Sequence, residues 1–180
     1  MKALLPEEAL PAPDVAGTVD AWRAWRVLRR DGGYVLASVI KPTIWPHRQV
    51  LYAKCLHVRS PLNWLCRRQP HAAPEASCEC GIYAAGLELV GDYLDEASMP
   101  PAVARVLGRV ALWGTVVECE RGYRAAFAYP TRIYVPADAR GRNRRGTREA
   151  VEGLAAYGVP VELLGARCAD APHVLARQAA

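Results

Sequence analysis

The spacing of apolar and polar residues in the first quarter of the chain predicts β-structure. The tryptophan-rich stretch 20–30 fits either a helical turn or an aromatic-rich strand. Asp31, Gly32 and Gly33 follow, and glycine supplies the positive φ that a tight turn requires. The stretch 34–40 is rich in β-branched and aromatic residues and predicts a returning strand. We therefore expect a β-hairpin rather than a helix in this region.

A second hairpin is predicted in the middle of the chain, where the strand-like pattern is clearest. The segments 112–120 and 123–130 are both enriched in β-branched and aromatic residues. They flank a turn at 121–122 that contains glycine, which is typical of paired antiparallel strands. We expect Val116 and Phe127 to face the core from the two strands.

Two residues in this region indicate irregular strand geometry. Gly114 lies inside the first strand, where glycine suggests a bulge or bend that curves the sheet. Pro130 lacks a backbone N–H, so we expect it where the second strand ends or lies at an edge.

The remaining elements are predicted from shorter patterns. A third strand is expected at 50–58, and apolar residues at helical spacing predict a helix over 84–96. A second helix is expected to begin near Thr147 and to end at Gly158. The stretch 159–164 predicts a last short strand.

Together these elements predict an α+β protein with a small, bent antiparallel sheet or barrel and two or three outer helices. A PUA-like or OB-like barrel is the nearest analogy. With 180 residues, 52% of them hydrophobic, the chain can bury a core of its own. We expect a flexible N-terminal arm at 1–18, a single domain at 19–165 and a weakly structured tail at 166–180.

The pattern of cysteines indicates a metal site. Cys78 and Cys80 form a Cys-x-Cys pair, His71 lies upstream in a proline-rich loop, and either Cys55 or Cys66 can complete a set of four. Zinc binds four nitrogen or sulfur ligands in a tetrahedron and can fix a loop that builds no regular structure. The alternative is that these cysteines are free thiols in the core. We predict structural zinc.

Charge and targeting signals bear on the partner and the compartment. With 23 lysines and arginines against 18 acidic residues, the chain has a net charge of +5, which permits nucleic-acid binding without requiring it. Charged residues follow the first few apolar ones, so we expect no export signal and a cytoplasmic protein with reduced thiols. No apolar run approaches the roughly 18 residues of a membrane span, so no membrane partner is expected.

Clustered arginines in the loop 137–147 and just beyond it suggest phosphate binding, since arginine beside glycine suits phosphate contacts. Aromatic side chains near this loop would stack on bases. The alternatives are a basic loop without a specific ligand and aromatic residues that fill the core. The predicted nucleic-acid-binding residues are Arg140, Arg142, Arg144, Arg145, Arg148, Trp45 and Tyr123.

Three motifs carry a family resemblance. They are His-x-x-Pro at 71–74, Cys-x-Cys-Gly-Ile-Tyr at 78–83, and Leu-Trp-Gly…Glu-x-Glu-x-Gly-Tyr-Arg-Ala…Tyr-Pro at 112–130. With these motifs and a Trp-Pro pair at 45–46, the chain from about residue 25 to 135 resembles an uncharacterised bacterial domain family. The resemblance implies Cys55 rather than Cys66 as a metal ligand, and it implies no established activity. The chain departs from the pattern at Cys119, where the family has histidine.

Motifs of common enzymes are missing from the sequence. It contains no P-loop, no dinucleotide-binding fingerprint and no Gly-x-Ser-x-Gly elbow. Glu118 and Glu120 fall on one strand face and can form an acid–base pair, or they can be a solvated face that pairs with Arg121 and Arg124. A cysteine nucleophile beside histidine would lack an orienting group. The possible pairs are Cys55 with His57 and Cys66 with His71.

We therefore expect a non-enzymatic binding module, with nucleic acid as its partner and a structural zinc site. The alternatives are a small metal- or cysteine-dependent enzyme and an adaptor that binds a protein partner.

Overall fold

The fold is known from a computed structural model that describes residues 17–55, 71–90, 93, 102–136 and 144–164, with the backbone alone for 144–147. Sheet dominates these residues, and helices are few and short, so the α+β class agrees with the prediction at a coarse level. The strands are β1 (Val19–Arg30), β2 (Gly33–Ser38), β3 (Leu51–Tyr52), β4 (Ile82–Ala84), β5 (Ala104–Cys119), β6 (Gly122–Pro136) and β7 (Val161–Leu164). The helices are α1 (Leu87–Val90) and α2 (Arg144–Leu154), which continues into a 3-10 turn, Ala155–Tyr157.

The strands form one mixed sheet of seven. Its order is β2-β1-β5-β6-β3, and β4 and β7 also pair with β6. All pairs are antiparallel except that of β6 with β7, which is parallel.

The predicted barrel is not observed, because the sheet of described strands is not closed. The end of β4 approaches β1 through one antiparallel bridge, in which the backbones of Trp22 and Ala85 exchange two hydrogen bonds of 2.8 and 2.9 Å. The chain turns into α1 directly after this bridge.

The first predicted hairpin is confirmed. Strands β1 and β2 pair from Trp25 opposite Ser38 to Arg30 opposite Gly33, across a turn in which Gly32 has a φ of 78°. Trp25 and Val27 are fully buried on one strand face. Alternate residues that face the core distinguish this segment from a helical turn.

The second predicted hairpin is also confirmed. Strands β5 and β6 pair along most of their length and meet at Cys119 opposite Gly122. Val116 packs against the main core as predicted. Phe127 does not join the buried core: its half-exposed ring packs against Tyr52 and Trp113 instead. Its neighbour Ala128 occupies the core face, because successive strand residues point to opposite faces.

Gly114 and Pro130 mark irregularities in this hairpin. The register shifts between Trp113 and Val116, and Gly114 has a φ of 73°, so the predicted bulge is confirmed. Pro130 does not end its strand, since β6 continues to Pro136. On the side of β5, Pro130 lies beside a second register shift. On the other side of β6, it lies between the residues that pair with β3 and those that pair with β7. The missing N–H is therefore tolerated at a locally unpaired edge.

The first predicted helix, over 84–96, is confirmed in part among the described residues, because α1 begins only at Leu87 and Ala84 still belongs to a strand. Ile82–Ala84 forms strand β4, and α1 spans only Leu87–Val90. The three residues of β4 are too few to show a strand period against the helical spacing of the apolar residues that follow. The predicted third strand is also shorter than expected and comprises Leu51–Tyr52, while residues 56–58 lie outside the described part.

The C-terminal elements follow the prediction more closely. Helix α2 begins at Arg144, earlier than the predicted Thr147, and Gly158 in the left-handed conformation follows the 3-10 turn at its end. Strand β7 lies within the predicted last strand, but its parallel pairing makes the sheet mixed rather than antiparallel. The predicted tail and residues 1–16 of the predicted arm lie outside the described residues.

Two apolar clusters cover the two faces of the sheet. The larger contains the fully buried Trp25, Leu36, Leu112 and Ile133, and the smaller is built around Ala24 and Leu107. None of the described helices has the length and apolar character needed to cross a membrane.

Candidate metal centre

Four side chains from separate parts of the sequence converge beside β6, near the end of β3 and the start of β4. One donor atom from each of Cys55, His71, Cys78 and Cys80 lies within 4.8 Å of all the others. The Sγ atoms of Cys55 and Cys78 are 3.8 Å apart, and the Cys80 Sγ is 3.4 Å from the His71 Nε2. Donors of a tetrahedral zinc site are separated by about 3.4 to 3.8 Å. These residues can therefore hold a metal ion.

The sheet positions the three cysteines of this group. Cys55 follows β3, and the neighbouring Ala53 N–H donates a 2.7 Å hydrogen bond to the carbonyl oxygen of Ala126 in β6. Cys78 and Cys80 directly precede β4, which pairs with β6. Both cysteines are buried while Glu79 between them is exposed. The chain bends at Cys78 and Glu79, after a turn closed by a 3.0 Å hydrogen bond from the Cys78 N–H to the Glu75 carbonyl oxygen. Both sulfurs point to the same group of donors.

Gly81 joins the ligand loop to β4 in a conformation that other residues rarely adopt. Its φ is 126°, and a Cβ atom placed on it would lie 3.0 Å from the Cβ of Arg124 and 3.1 Å from the Cβ of Pro74. The glycine therefore permits both the turn and the close approach of the loop to β6.

Arg124 in β6 connects the sheet to the loop 71–80. Its side chain is buried, and its Nη1 donates hydrogen bonds to the carbonyl oxygens of Glu75 at 3.4 Å, Cys80 at 3.1 Å and Cys78. Its Nε donates to the Cys119 Sγ at 3.2 Å. This last hydrogen bond raises the pKa of Arg124 in spite of burial, so the guanidinium remains charged.

The surroundings of the two buried thiols shift their pKa values in opposite directions. Burial opposes ionisation of Cys78, but hydrogen bonds from the Cys80 backbone and from the side chains of Cys80, Cys55 and His71 outweigh it and lower the pKa of Cys78 to about 7. Burial and the nearby Cys78 sulfur raise the pKa of Cys80. The thiolate is the form that binds metals, so the lowered pKa favours the metal-binding form of Cys78.

The structure brings the predicted ligands together with Cys55 as the fourth member. Cys66 lies outside the described residues. Cys119 is not part of the group and contacts Arg124 instead. Arg124 was considered as a partner of the nearby glutamates. Its contact with the loop could not be predicted, because nothing in the sequence indicates that a strand arginine will contact a carbonyl oxygen 44 residues away.

The predicted nucleic-acid residues are not collected on one surface in the described part of the chain. Arg140 and Arg142 lie outside it, and only the backbone of Arg144 and Arg145 is described, at the start of α2 rather than in a loop. Arg148 is exposed and forms a 3.2 Å ion pair with Glu152.

The predicted aromatic surface is wrong at Trp45. Its side chain is 1% exposed, packs edge-on against Trp25, and is covered by the guanidinium of Arg23. No face of the ring is left for a base. Tyr123 is half-buried and packs against the main core.

The two glutamates considered as an acid–base pair, Glu118 and Glu120, are both exposed near the β5–β6 turn. This exposure agrees with the alternative of a solvated strand face.

Comparisons with models of known families, with curated proteins and with solved structures found no match to this chain. The resemblance to a bacterial domain family therefore stays a prediction.

Proposed function

We propose that this protein is a non-enzymatic binding module whose loop 71–80 is fixed to the sheet by a structural zinc ion. The observation that carries the proposal is the convergence of Cys55, His71, Cys78 and Cys80 within 4.8 Å. Three thiols and an imidazole form a soft donor set, which suits zinc rather than magnesium or calcium.

The number of protein donors supports a structural rather than a catalytic role. Four donors fill a tetrahedron, whereas catalytic zinc keeps one position for water or substrate. Two of the four ligands, Cys78 and Cys80, are buried, which limits access of a substrate to the ion. A metal-dependent enzyme is therefore the less supported alternative.

The loop itself gives a reason for the ion. Residues 71–80 form neither helix nor strand, and among them only Pro74, Cys78 and Cys80 are buried. So little apolar burial cannot offset the entropy cost of ordering ten residues. A zinc ion that joins Cys55 to the loop would supply the missing free energy.

Metal analysis of the full chain tests this proposal. We expect about one zinc per chain after purification without chelators, and tetrahedral cobalt absorption bands after exchange with Co²⁺. The variant Cys80→Ser should lose the metal, whereas the matched variant Cys119→Ser should keep it, because Cys119 lies outside the group. A wild-type chain that binds no zinc when zinc is supplied in excess would refute the proposal.

Nucleic acid remains the proposed partner of the module. Its support is the net charge of +5 and the exposed Arg148 on α2. Binding should weaken steeply with salt, and replacement of Arg142, Arg144 and Arg145 by alanine should weaken it similarly for all sequences. If the wild-type chain has no affinity for DNA or RNA at about 50 mM salt, where such binding is strong, an adaptor that binds a protein partner becomes the better proposal.

A further inference from the structure

We infer that Arg124 is the counter-ion of the metal centre, a positioning residue whose positive charge compensates the negative charge of the bound ion and its ligands. The inference rests on the proposed zinc centre and adds to it the charge that the site requires. It follows from the burial of Arg124, from its hydrogen-bond partners, and from the charges of the four ligands.

None of the four hydrogen-bond acceptors of Arg124 is a carboxylate. They are three carbonyl oxygens of the loop and the Cys119 sulfur. Other arginines, such as Arg30, Arg109, Arg132 and Arg148, pair with carboxylates, and none of the ion pairs seen among the described residues includes Arg124. Burial of a charge without an opposite charge is costly, so a nearby anion would stabilise this guanidinium.

The charge of the proposed centre fits this requirement. Three thiolates and a neutral imidazole around Zn²⁺ carry a net charge of −1, because three negative charges exceed the two positive charges of the ion. One guanidinium neutralises that charge. The charges of Arg124 and of the centre therefore balance with three thiolates and a neutral imidazole as the ligands.

Arg124 approaches the centre from the side of its two buried ligands. Its Nη1 contacts the carbonyl oxygens of Cys78 and Cys80, which are the two buried ligands. Cys55 and His71, the other two ligands, are half-exposed. Water and salt screen a charge least where it is buried, so Arg124 affects the centre more strongly than an exposed charge at the same distance would.

A set of substitutions in the full chain separates charge from packing. Arg124→Met removes the charge, and Arg124→Lys keeps it with a different hydrogen-bond geometry. Arg132→Met is the matched control, because Arg132 lies on the same strand but is exposed and paired with Glu162. Zinc affinity is measured by competition with a chromogenic chelator. Circular dichroism establishes that each variant is folded.

We expect Arg124→Met to weaken zinc binding about 10- to 100-fold, as loss of outer-shell partners does at other metal sites. Arg124→Lys should restore most of the affinity, and Arg132→Met should leave it within about twofold of wild type, since an exposed charge is screened. If Arg124→Met does not fold, Arg124→Gln replaces it, because the amide retains an N–H donor for the loop carbonyls.

The decisive comparison uses the background Cys55→His, in which a centre of two thiolates and two imidazoles is neutral. There the loss caused by Arg124→Met should shrink to less than about threefold, since the charge it compensates is gone. An equal loss in both backgrounds would show that Arg124 only holds the loop, and unchanged zinc binding in Arg124→Met would also overturn the inference. If the wild-type chain itself binds no zinc, the proposed function fails together with this inference.

Discussion

The β5–β6 hairpin and the loop 71–80 lie side by side and are held in different ways. The hairpin contributes fully buried side chains to the larger apolar cluster, among them Val106, Leu112 and Ile133. The loop contributes two buried sulfurs and the carbonyl oxygens that Arg124 contacts. Apolar burial stabilises the first region, whereas polar contacts and, in our proposal, a metal ion stabilise the second.

The hairpin and the loop should therefore respond to different changes. Loss of a buried apolar side chain acts on the free energy of unfolding of the whole domain. Loss of the metal acts first on the loop, because local stability follows local contacts. Variants of each region test whether the stability of the hairpin and that of the loop can be changed separately.

The largest effect is expected from a cavity in the hairpin. Leu112 is fully buried in the main core, so Leu112→Ala should lower the free energy of unfolding by about 2 to 5 kcal/mol. Urea denaturation of the zinc-loaded protein measures this change. The control is Leu163→Ala, which removes a 59% exposed leucine from β7 and should cost about 0.5 kcal/mol or less. Equal losses in the two variants would contradict a core at Leu112.

Removal of zinc should have a somewhat smaller and more local effect. A ligand present at about 100 times its Kd stabilises the folded state by about 2.7 kcal/mol, and a chelator removes this contribution. Hydrogen exchange should then increase within 71–80 while the amides of β5 and β6 stay protected, because the hairpin ladder does not involve the metal. Simultaneous loss of protection in both regions would show that the loop and the sheet form one cooperative unit.

The hydroxyl of Tyr157 tests whether polar contacts also matter inside the apolar region. It donates to the carbonyl oxygen of Trp45 at 2.7 Å and accepts from the Leu36 N–H at 2.8 Å. Tyr157→Phe leaves both groups buried without this partner and should cost about 1 to 3 kcal/mol. The matched variant Tyr83→Phe removes an exposed hydroxyl that donates to the Glu79 carbonyl oxygen, and it should cost less because water can replace the bond.

The same tyrosine gives the core a sensitivity to high pH. Burial raises the pKa of Tyr157 well above its usual value of 10.0. The raised pKa stabilises the neutral, folded form, and this contribution is fully present below pH 10 and is lost as the pH rises further. Stability should therefore fall above about pH 10 by up to 1.4 kcal/mol per pH unit, and less steeply in Tyr157→Phe. Denaturation of the wild type and of Tyr157→Phe between pH 8 and 11 measures how steeply the stability of each falls with pH.

Local patterns in the sequence predict the hairpins but not how distant segments meet. Alternation around Trp25 and the glycine turn at Gly32 act within a few residues, so the first hairpin could be predicted. The open edge of the sheet depends on where β4 approaches β1, through a single bridge between Trp22 and Ala85. Such a contact between segments about 60 residues apart leaves no period in the sequence.

The metal site shows the same division. The Cys-x-Cys pair at 78 and 80 is a local signal, because two cysteines so close in sequence can bind one ion. Arg124 could not be predicted, since its partners lie in the loop more than 40 residues away. Trp45 was misplaced on a surface for a related reason: an aromatic side chain in a proline-rich loop resembles a binding residue until its packing against Trp25 is known.

The smallest effect is expected on the solvent face of α2, which belongs to neither region. Arg148 and Glu152 are one helical turn apart, and both side chains are largely exposed, 83% and 66%. Water and salt screen such a pair, so it should contribute about 0.3 to 0.5 kcal/mol at low salt. A double-mutant cycle with Arg148→Ala and Glu152→Ala measures the coupling free energy by urea denaturation. Coupling above about 1 kcal/mol would mean that the helix surface is less solvated than its exposure indicates, and that polar contacts outside the metal loop also stabilise this protein.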